Sequence, residues 1–234
     1  MDEIAFHQRL HRPGVMLDIG AHDGLLTAPF AALPDSRVIA FEPLPSAYAR
    51  LRARFTPCPA HVELRHEALG AAPGAFTLSV PVVDGVAQEQ WASIAKDYEG
   101  FSDVTVQRHE VRVTTLDALA LSGLTHLKLD VEGAEYEALQ GGRATLLRER
   151  PVLSVEIEER HREGSTYAVP AYLDALGYDG FWWWDGAMRP LAEFDRARFQ
   201  RANPSPAVFE HIPEYVFVFF FLPREQAAAM LARL

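Results

Sequence analysis

The strongest constraint on this chain is a pair of apolar runs that both end in acids. Val15-Met16-Leu17-Asp18-Ile19-Gly20-Ala21-His22-Asp23-Gly24 runs into a glycine turn, and one helix-length later Val38-Ile39-Ala40-Phe41-Glu42-Pro43 ends in Glu42. Strand, turn, helix and strand in that order are the layout of a nucleotide or nucleoside site. Gly20 and Gly24 let the backbone come close to a ligand. Glu42, at the tip of the second strand, can accept hydrogen bonds from both hydroxyls of a ribose. The turn reads Gly-Ala-His-Asp-Gly and not Gly-x-Gly-x-x-Gly. A pyrophosphate needs more bare backbone N–H and less negative charge than Asp18 and Asp23 leave, so a dinucleotide fits poorly. An acidic turn suits a cation, and S-adenosylmethionine carries a sulfonium and an ammonium group.

Composition narrows the partners. A net charge of -10 and a pI near 5.4, with no clustered Lys/Arg face, argue against a nucleic-acid partner. The single cysteine, Cys58, excludes an internal disulfide and a multi-cysteine metal site, so a reducing cytoplasm is the default. Residues 1–11 lack the apolar core of a signal peptide, and the longest apolar run, 216–222, is too short to span a bilayer. The expectation is a soluble cytoplasmic protein with no membrane partner. A homo-oligomer is compatible with the sequence. At 234 residues one α/β domain over 1–234 can bury a full core.

Strand and helix signals alternate along the chain. Strands are expected at 15–19, 37–41 and 62–68, with helices from about 25 and over 46–55. The rhythm then breaks into two β segments, 76–83 and 104–114, joined by 84–103, which carries Trp91, Tyr98 and Phe101 and reads as a lid. It resumes with strand 127–131, helix 134–147, strand 152–157, helix 170–176 and strands 180–184 and 215–222. This predicts a doubly wound α/β domain with a seven-stranded, mostly parallel sheet, an antiparallel hairpin at its end and an inserted β-hairpin.

In such a sheet ligands bind beyond the carboxyl ends of the strands, where the strand order reverses. The polar residues there are Asp18, Glu42, Glu67, Asp130, Glu132 and Glu156, with His22, His66 and His161 nearby. The second strong signal is Leu127-Lys128-Leu129-Asp130-Val131-Glu132-Gly133-Ala134-Glu135, a strand ending in two acids and a glycine where a helix begins. With Phe41-Glu42-Pro43, Glu67-Ala68-Leu69-Gly70 and Val155-Glu156-Ile157, these pieces resemble the FkbM-type S-adenosylmethionine-dependent methyltransferases over residues 15–160. The resemblance implies a Rossmann-like class I methyltransferase fold and O-methylation of a hydroxyl on a saccharide or a glycosylated or polyketide-like metabolite. It implies that Asp18, Gly20 and His22, in the turn with Ala21 and Gly24, line the methionine end of the cofactor. Glu42, followed by Pro43, would bind the ribose, and Glu67 and Ala68 would sit beside the adenine. Asp130 and Glu132 would lie where cofactor and substrate meet. The match fades after residue 160, so 160–214 is the candidate specificity region. Asp18, Glu42, Asp130 and Glu132 also have a plain reading as helix caps or solvated loop acids.

Transfer to an alcohol requires loss of its proton, and the candidate bases are His161, Asp130, Glu156 and Glu158. His161 has a suitable ordinary pKa, yet it lies in the charge run 158–163, and such runs are usually solvated surface. Some sugar and catechol O-methyltransferases hold Mg²⁺ through acids at comparable strand ends, here Asp130 and Glu156. No third ligand is evident, and Mg²⁺ is not the favoured reading. Lys128 reads as structural or paired with a neighbouring acid. Trp182 and Trp184 share one strand face and Trp183 takes the other, which fits core or dimer packing better than a sugar platform. Two alternatives stay open: N- or carboxyl-methylation of a small molecule, and a non-catalytic cofactor-binding partner subunit.

Overall fold

In the strand at Gly14–Ile19, Val15, Leu17 and Ile19 point to one apolar cluster and Met16 to another, so each face of this strand is buried. That pattern recurs across a computed structural model that describes residues 1–201, 205 and 214–234. The first half runs α1 (Glu3–Arg9), β1 (Gly14–Ile19), α2 (Thr27–Ala31), β2 (Ser36–Phe41), α3 (Pro45–Arg54), β3 (Val62–Arg65), β4 (Ala68–Leu69), β5 (Gly74–Val83), β6 (Val86–Ala87) and β7 (Thr105–Thr114). The second half runs β8 (Leu124–Leu129), α4 (Glu135–Gln140), α5 (Arg143–Glu149), β9 (Val152–Glu156), α6 (Ser165–Ala175), β10 (Tyr178–Trp184), β11 (Ala187–Pro190), α7 (Arg196–Phe199), β12 (Val218–Pro223) and α8 (Ala227–Leu231).

The main sheet has the order β11-β10-β12-β9-β8-β1-β2-β3. Strands β3, β2, β1, β8 and β9 pair in parallel, whereas β12 is antiparallel to both β9 and β10. Leu139, Leu146 and Leu173 seal one face from α4, α5 and α6, and Phe6, Phe30, Leu51 and Met230 seal the other from α1, α2, α3 and α8. The chain winds outward from β1 to β3 and returns to the other side of β1 at β8. The strand order therefore reverses between β1 and β8, the position where an open α/β sheet leaves a crevice.

The expectation of seven strands is one short, because β11 turns back through Asp185-Gly186 and pairs antiparallel with β10 at the sheet edge. The 62–68 stretch does not stay in one strand. It divides into β3 in the main sheet and β4, which joins β7, β5 and β6 in a second sheet of four strands. The β5–β7 hairpin anticipated from sequence is the body of that second sheet. The helix expected over 134–147 is broken at Gly141-Gly142 into α4 and α5. A Cβ on Gly141 would stand 2.0 Å from the carbonyl oxygen of Gly70, so the chain crossing there demands glycine.

Trp182 is buried among Phe194, Phe199 and Trp184, its indole N–H donating to Pro190 O at 3.2 Å, while Trp183 packs on the opposite face. Trp182 is thus a core residue, with Trp183 and Trp184 half-buried against the core. In β12, Phe219 and Phe221 enter one core cluster and Phe220 and Leu222 another, as a strand buried on both faces should. No helix among the described residues is long and apolar enough to cross a membrane. The specificity region anticipated at 160–214 includes 202–204 and 206–213, which lie outside the described residues.

Candidate active site

At the reversal point the tips of β1 and β8 are joined by the Asp130 N–H, which donates to Ile19 O at 3.0 Å. Gly20 turns the chain there with φ +79, and a Cβ on it would lie 1.7 Å from the Asp130 carbonyl oxygen. Only glycine lets the two strand ends approach so closely. The crevice that opens above is lined by Ile19, Gly20 and His22 from the first turn, Glu42 and Pro43 from the second, Ala68 and Leu69 from β4, and Asp130, Val131 and Glu132 after β8. Glu89, Gln90, Ala92 and Ile94 close the remaining side. Residues 89–94 of the 84–103 segment therefore form a wall of the crevice.

Glu42 is fixed before any ligand arrives. Its Oε2 accepts the N–H of His22 at 2.7 Å and its Oε1 that of Leu44 at 2.8 Å, leaving further lone pairs toward the crevice. Burial pushes its carboxyl up to about 7, and the two amides only partly offset this.

Several anticipated contacts fall behind the crevice. Asp18 is fully buried, because the pleat of β1 turns its side chain under the turn; it accepts from Thr27 Oγ1 at 2.6 Å and lies 3.4 Å from Lys128 Nζ. Its place is below the turn, so it orients neighbours and does not line the crevice. Gly24 backs onto Leu51 of α3 and Phe55 just after it, and Ala21 is buried with its N–H given to Phe41 O at 2.9 Å. Glu67 is held by Arg65 at 3.1 Å, whereas its neighbour Ala68 does line the crevice.

Lys128 spans the gap between the two strand ends. Buried, it donates to Gly20 O at 2.6 Å and lies 3.5 Å from Asp130 Oδ2 as well as close to Asp18. Burial disfavours its charge, but the carboxylates of Asp130 and Asp18 outweigh this and hold the ammonium above its ordinary pKa. The sequence reading of Lys128 as structural or paired with an acid agrees with these contacts.

Beyond Asp130 the acids crowd. His161, 6% exposed, brings Nε2 to 3.1 Å from Glu132 Oε2 and 3.4 Å from Glu158 Oε1. Burial pulls the imidazole down to about 3, against the raising effect of Glu158, so it is neutral near pH 7. Burial and the neighbouring carboxylates raise Glu132 and Glu156 well above the usual carboxylate range. Glu158 is gripped by Arg160 through Nε–Oε2 at 2.5 Å and Nη2–Oε1 at 2.9 Å. One ligand atom each from Glu132, Glu156 and His161 fall within 4.8 Å of one another. Asp130, which the sequence pairs with Glu156 around Mg²⁺ only as the less favoured reading, is engaged by Lys128, while Glu156 groups with Glu132 and His161. His161 also lines a second, largely apolar cavity with Ala71, Phe76, Ile94 and Val113. Ile94 borders both cavities.

The FkbM methyltransferase domain matches residues 18–179 of this chain, the span that contains every one of these strand-end groups. The chain belongs to the FkbM methyltransferase family. Its relative 2-O-methyltransferase NoeI of Sinorhizobium fredii (strain NBRC 101917 / NGR234) is 29% identical over 174 residues, covering 69% of this chain and 70% of NoeI. The crystal structure of methyltransferase FkbM from Methylobacillus flagellatus KT superposes with a TM-score of 0.54 at 16% identity, over 94% of this chain and 50% of that one. This chain therefore spans half the length of that FkbM protein, and the likeness between them is one of fold.

The residues that sequence reasoning missed come from the second sheet. Glu89 and Gln90 reach the crevice from the loop after β6, and Ser93 Oγ donates to the Glu132 carbonyl at 2.6 Å. No local pattern marks them, because they are brought in by the pairing of Ser79 with Ser93.

Proposed function

We propose that this chain is an S-adenosylmethionine-dependent O-methyltransferase acting on a hydroxyl of a saccharide or of a glycosylated or polyketide-like metabolite. The observation that carries the reading is Glu42, preset by two backbone amides at the edge of a crevice whose other rim is Asp130 and Glu132. The fit to the cofactor is chemical: an acceptor pair suited to ribose hydroxyls, a glycine turn with no side chain at Gly20, and carboxylates for a sulfonium and an ammonium. When bound, the cofactor supplies a methyl group on a positively charged sulfur leaving group.

What the chain contributes is placement. Glu42 would orient the ribose, and the Gly20–His22 turn would admit the backbone-facing edge of the ligand. Asp130, held by Lys128, would keep its carboxylate beside the cation. The wall from Glu89 to Ile94 limits water around the reacting atoms. Holding an acceptor oxygen in line with the methyl carbon accounts for most of the acceleration such a reaction needs. The apolar cavity beside His161 supports an acceptor with an apolar portion, and the likeness to a 2-O-methyltransferase supports oxygen as the nucleophile.

The test is transfer of an isotopically labelled methyl group to a panel of saccharides and glycosylated metabolites, followed by alkaline treatment and product mass analysis. The proposal expects a base-stable methyl ether. A base-labile ester, a label on nitrogen, or no transfer to any hydroxyl would contradict it.

A further inference from the structure

The wall between the two cavities is built from groups that lack a partner. Glu132 Oε2 and His161 Nε2 are both buried and neither makes a hydrogen bond, although they stand 3.1 Å apart. An imidazole and a carboxylate at that distance would ordinarily share a proton along the N–O line. Here the two atoms do not meet hydrogen-bond geometry, so both are left without a partner. Adjacent donor atoms on an octahedral ion with bonds of about 2.1 Å lie about 3.0 Å apart, which matches the spacing.

The neighbouring side-chain donors are already engaged. Arg160 is committed to Glu158, Lys128 to Asp130 and Asp18, and Lys96 Nζ to the Arg160 carbonyl oxygen. Among the described residues, Glu132 and Glu156 have no Lys or Arg within ion-pair distance. Two carboxyl groups with no Lys or Arg in ion-pair range, beside an imidazole nitrogen that has no hydrogen bond, offer donor atoms that a bound cation would satisfy.

We propose that Glu132, Glu156 and His161 form a binding site for one divalent first-row metal ion, located where the cofactor crevice meets the apolar cavity. The donor set of two carboxylates and one imidazole favours an ion of the Mn²⁺ kind over an all-oxygen binder such as Ca²⁺. Three protein ligands leave coordination positions open. With Glu132 on the crevice and His161 on the apolar cavity, a bound ion would stand beside both spaces and would ease loss of the proton from a hydroxyl it held. The site stands on this geometry and does not depend on the methyl-transfer reading.

The experiment is titration of the metal-stripped full chain with Mn²⁺ alone, followed by electron paramagnetic resonance, without cofactor or acceptor. The expected result is one Mn²⁺ bound at micromolar concentration, with pulsed spectra showing coupling to a single imidazole nitrogen. Glu132→Gln and His161→Ala should each weaken binding by at least about tenfold, and His161→Ala should remove the nitrogen coupling. Binding only at millimolar Mn²⁺, a bound ion with no nitrogen coupling, or folded variants that bind like the parent would overturn the proposal. If a variant fails to fold, the nitrogen coupling in the unsubstituted chain decides alone. A chain that binds Mn²⁺ but not S-adenosylmethionine would refute the proposed function and leave this site standing.

Discussion

Glu42 and Glu132 line one crevice, yet the chain completes one and leaves the other open. Each oxygen of Glu42 accepts a backbone N–H, whereas Glu132 Oε2 has no hydrogen-bond partner and lies 3.1 Å from an imidazole nitrogen that has none either. The β1–β2 side is a finished acceptor surface, suited to neutral hydroxyls. The β8–β9 side concentrates buried acids, and Lys128 bridges the two sides.

The sharpest way to break this arrangement is at the seam. Gly20→Ala would put a Cβ at 1.7 Å from the Asp130 carbonyl and hold a non-glycine residue at φ +79. Strain and overpacking of about 1–3 kcal/mol each predict a large loss in chemical unfolding, up to failure to fold. Gly164→Ala is the control. Gly164 has a similar φ, +80, with nothing within 4 Å of the added atom, so only the conformational cost of about 1–2 kcal/mol should appear. Equal losses in the two variants would show that the close approach of β1 and β8 is unimportant.

Lys128→Met removes the cation shared by the two sides and strands Asp18, which is fully buried, beside Asp130. A destabilisation of about 3–5 kcal/mol is expected from urea titration. A neutral result would mean that the two rims do not need a common charge.

The smallest effect is also the most local. Burial raises the Glu42 carboxyl from 4.5 to about 7, so the folded chain binds a proton there that the unfolded chain has released. The resulting stabilisation is complete below pH 4.5 and is lost as pH rises through about 7. Binding of hydroxyl donors runs the other way, because it favours the ionised form. Cofactor affinity should therefore fall by about tenfold one unit below that pKa, and Glu42→Gln should flatten the profile. A profile that survives the substitution would move the titrating group to another residue.

The β1–β2 side was legible in the sequence because its groups are neighbours along the chain: strand, glycine turn, helix and Phe41-Glu42-Pro43 follow in order. Even there the pleat mattered, since Asp18 ends a run that reads as a binding acid but points beneath the turn. On the other side, Glu132, Glu156 and His161 come from three separate segments and meet only through the parallel pairing of β8 with β9 and the turn that follows. The sequence placed Glu156 with Asp130 because both end strands; Lys128 takes Asp130 away from that pairing. The split at Gly141-Gly142 was hidden for a related reason, as the contact with Gly70 that requires it is long-range. The edge strand β11 follows a two-residue turn at Asp185-Gly186 and carries too little apolar periodicity to stand out.

The measurement that tests the account most directly is calorimetric titration of the chain and of Glu42→Ala with S-adenosylmethionine, and with NAD as the competitor. Micromolar S-adenosylmethionine binding, weakened by about 1–3 kcal/mol in Glu42→Ala and with no heat from NAD, is the predicted result. No binding of S-adenosylmethionine, binding of NAD in its place, or equal affinity in Glu42→Ala would contradict it.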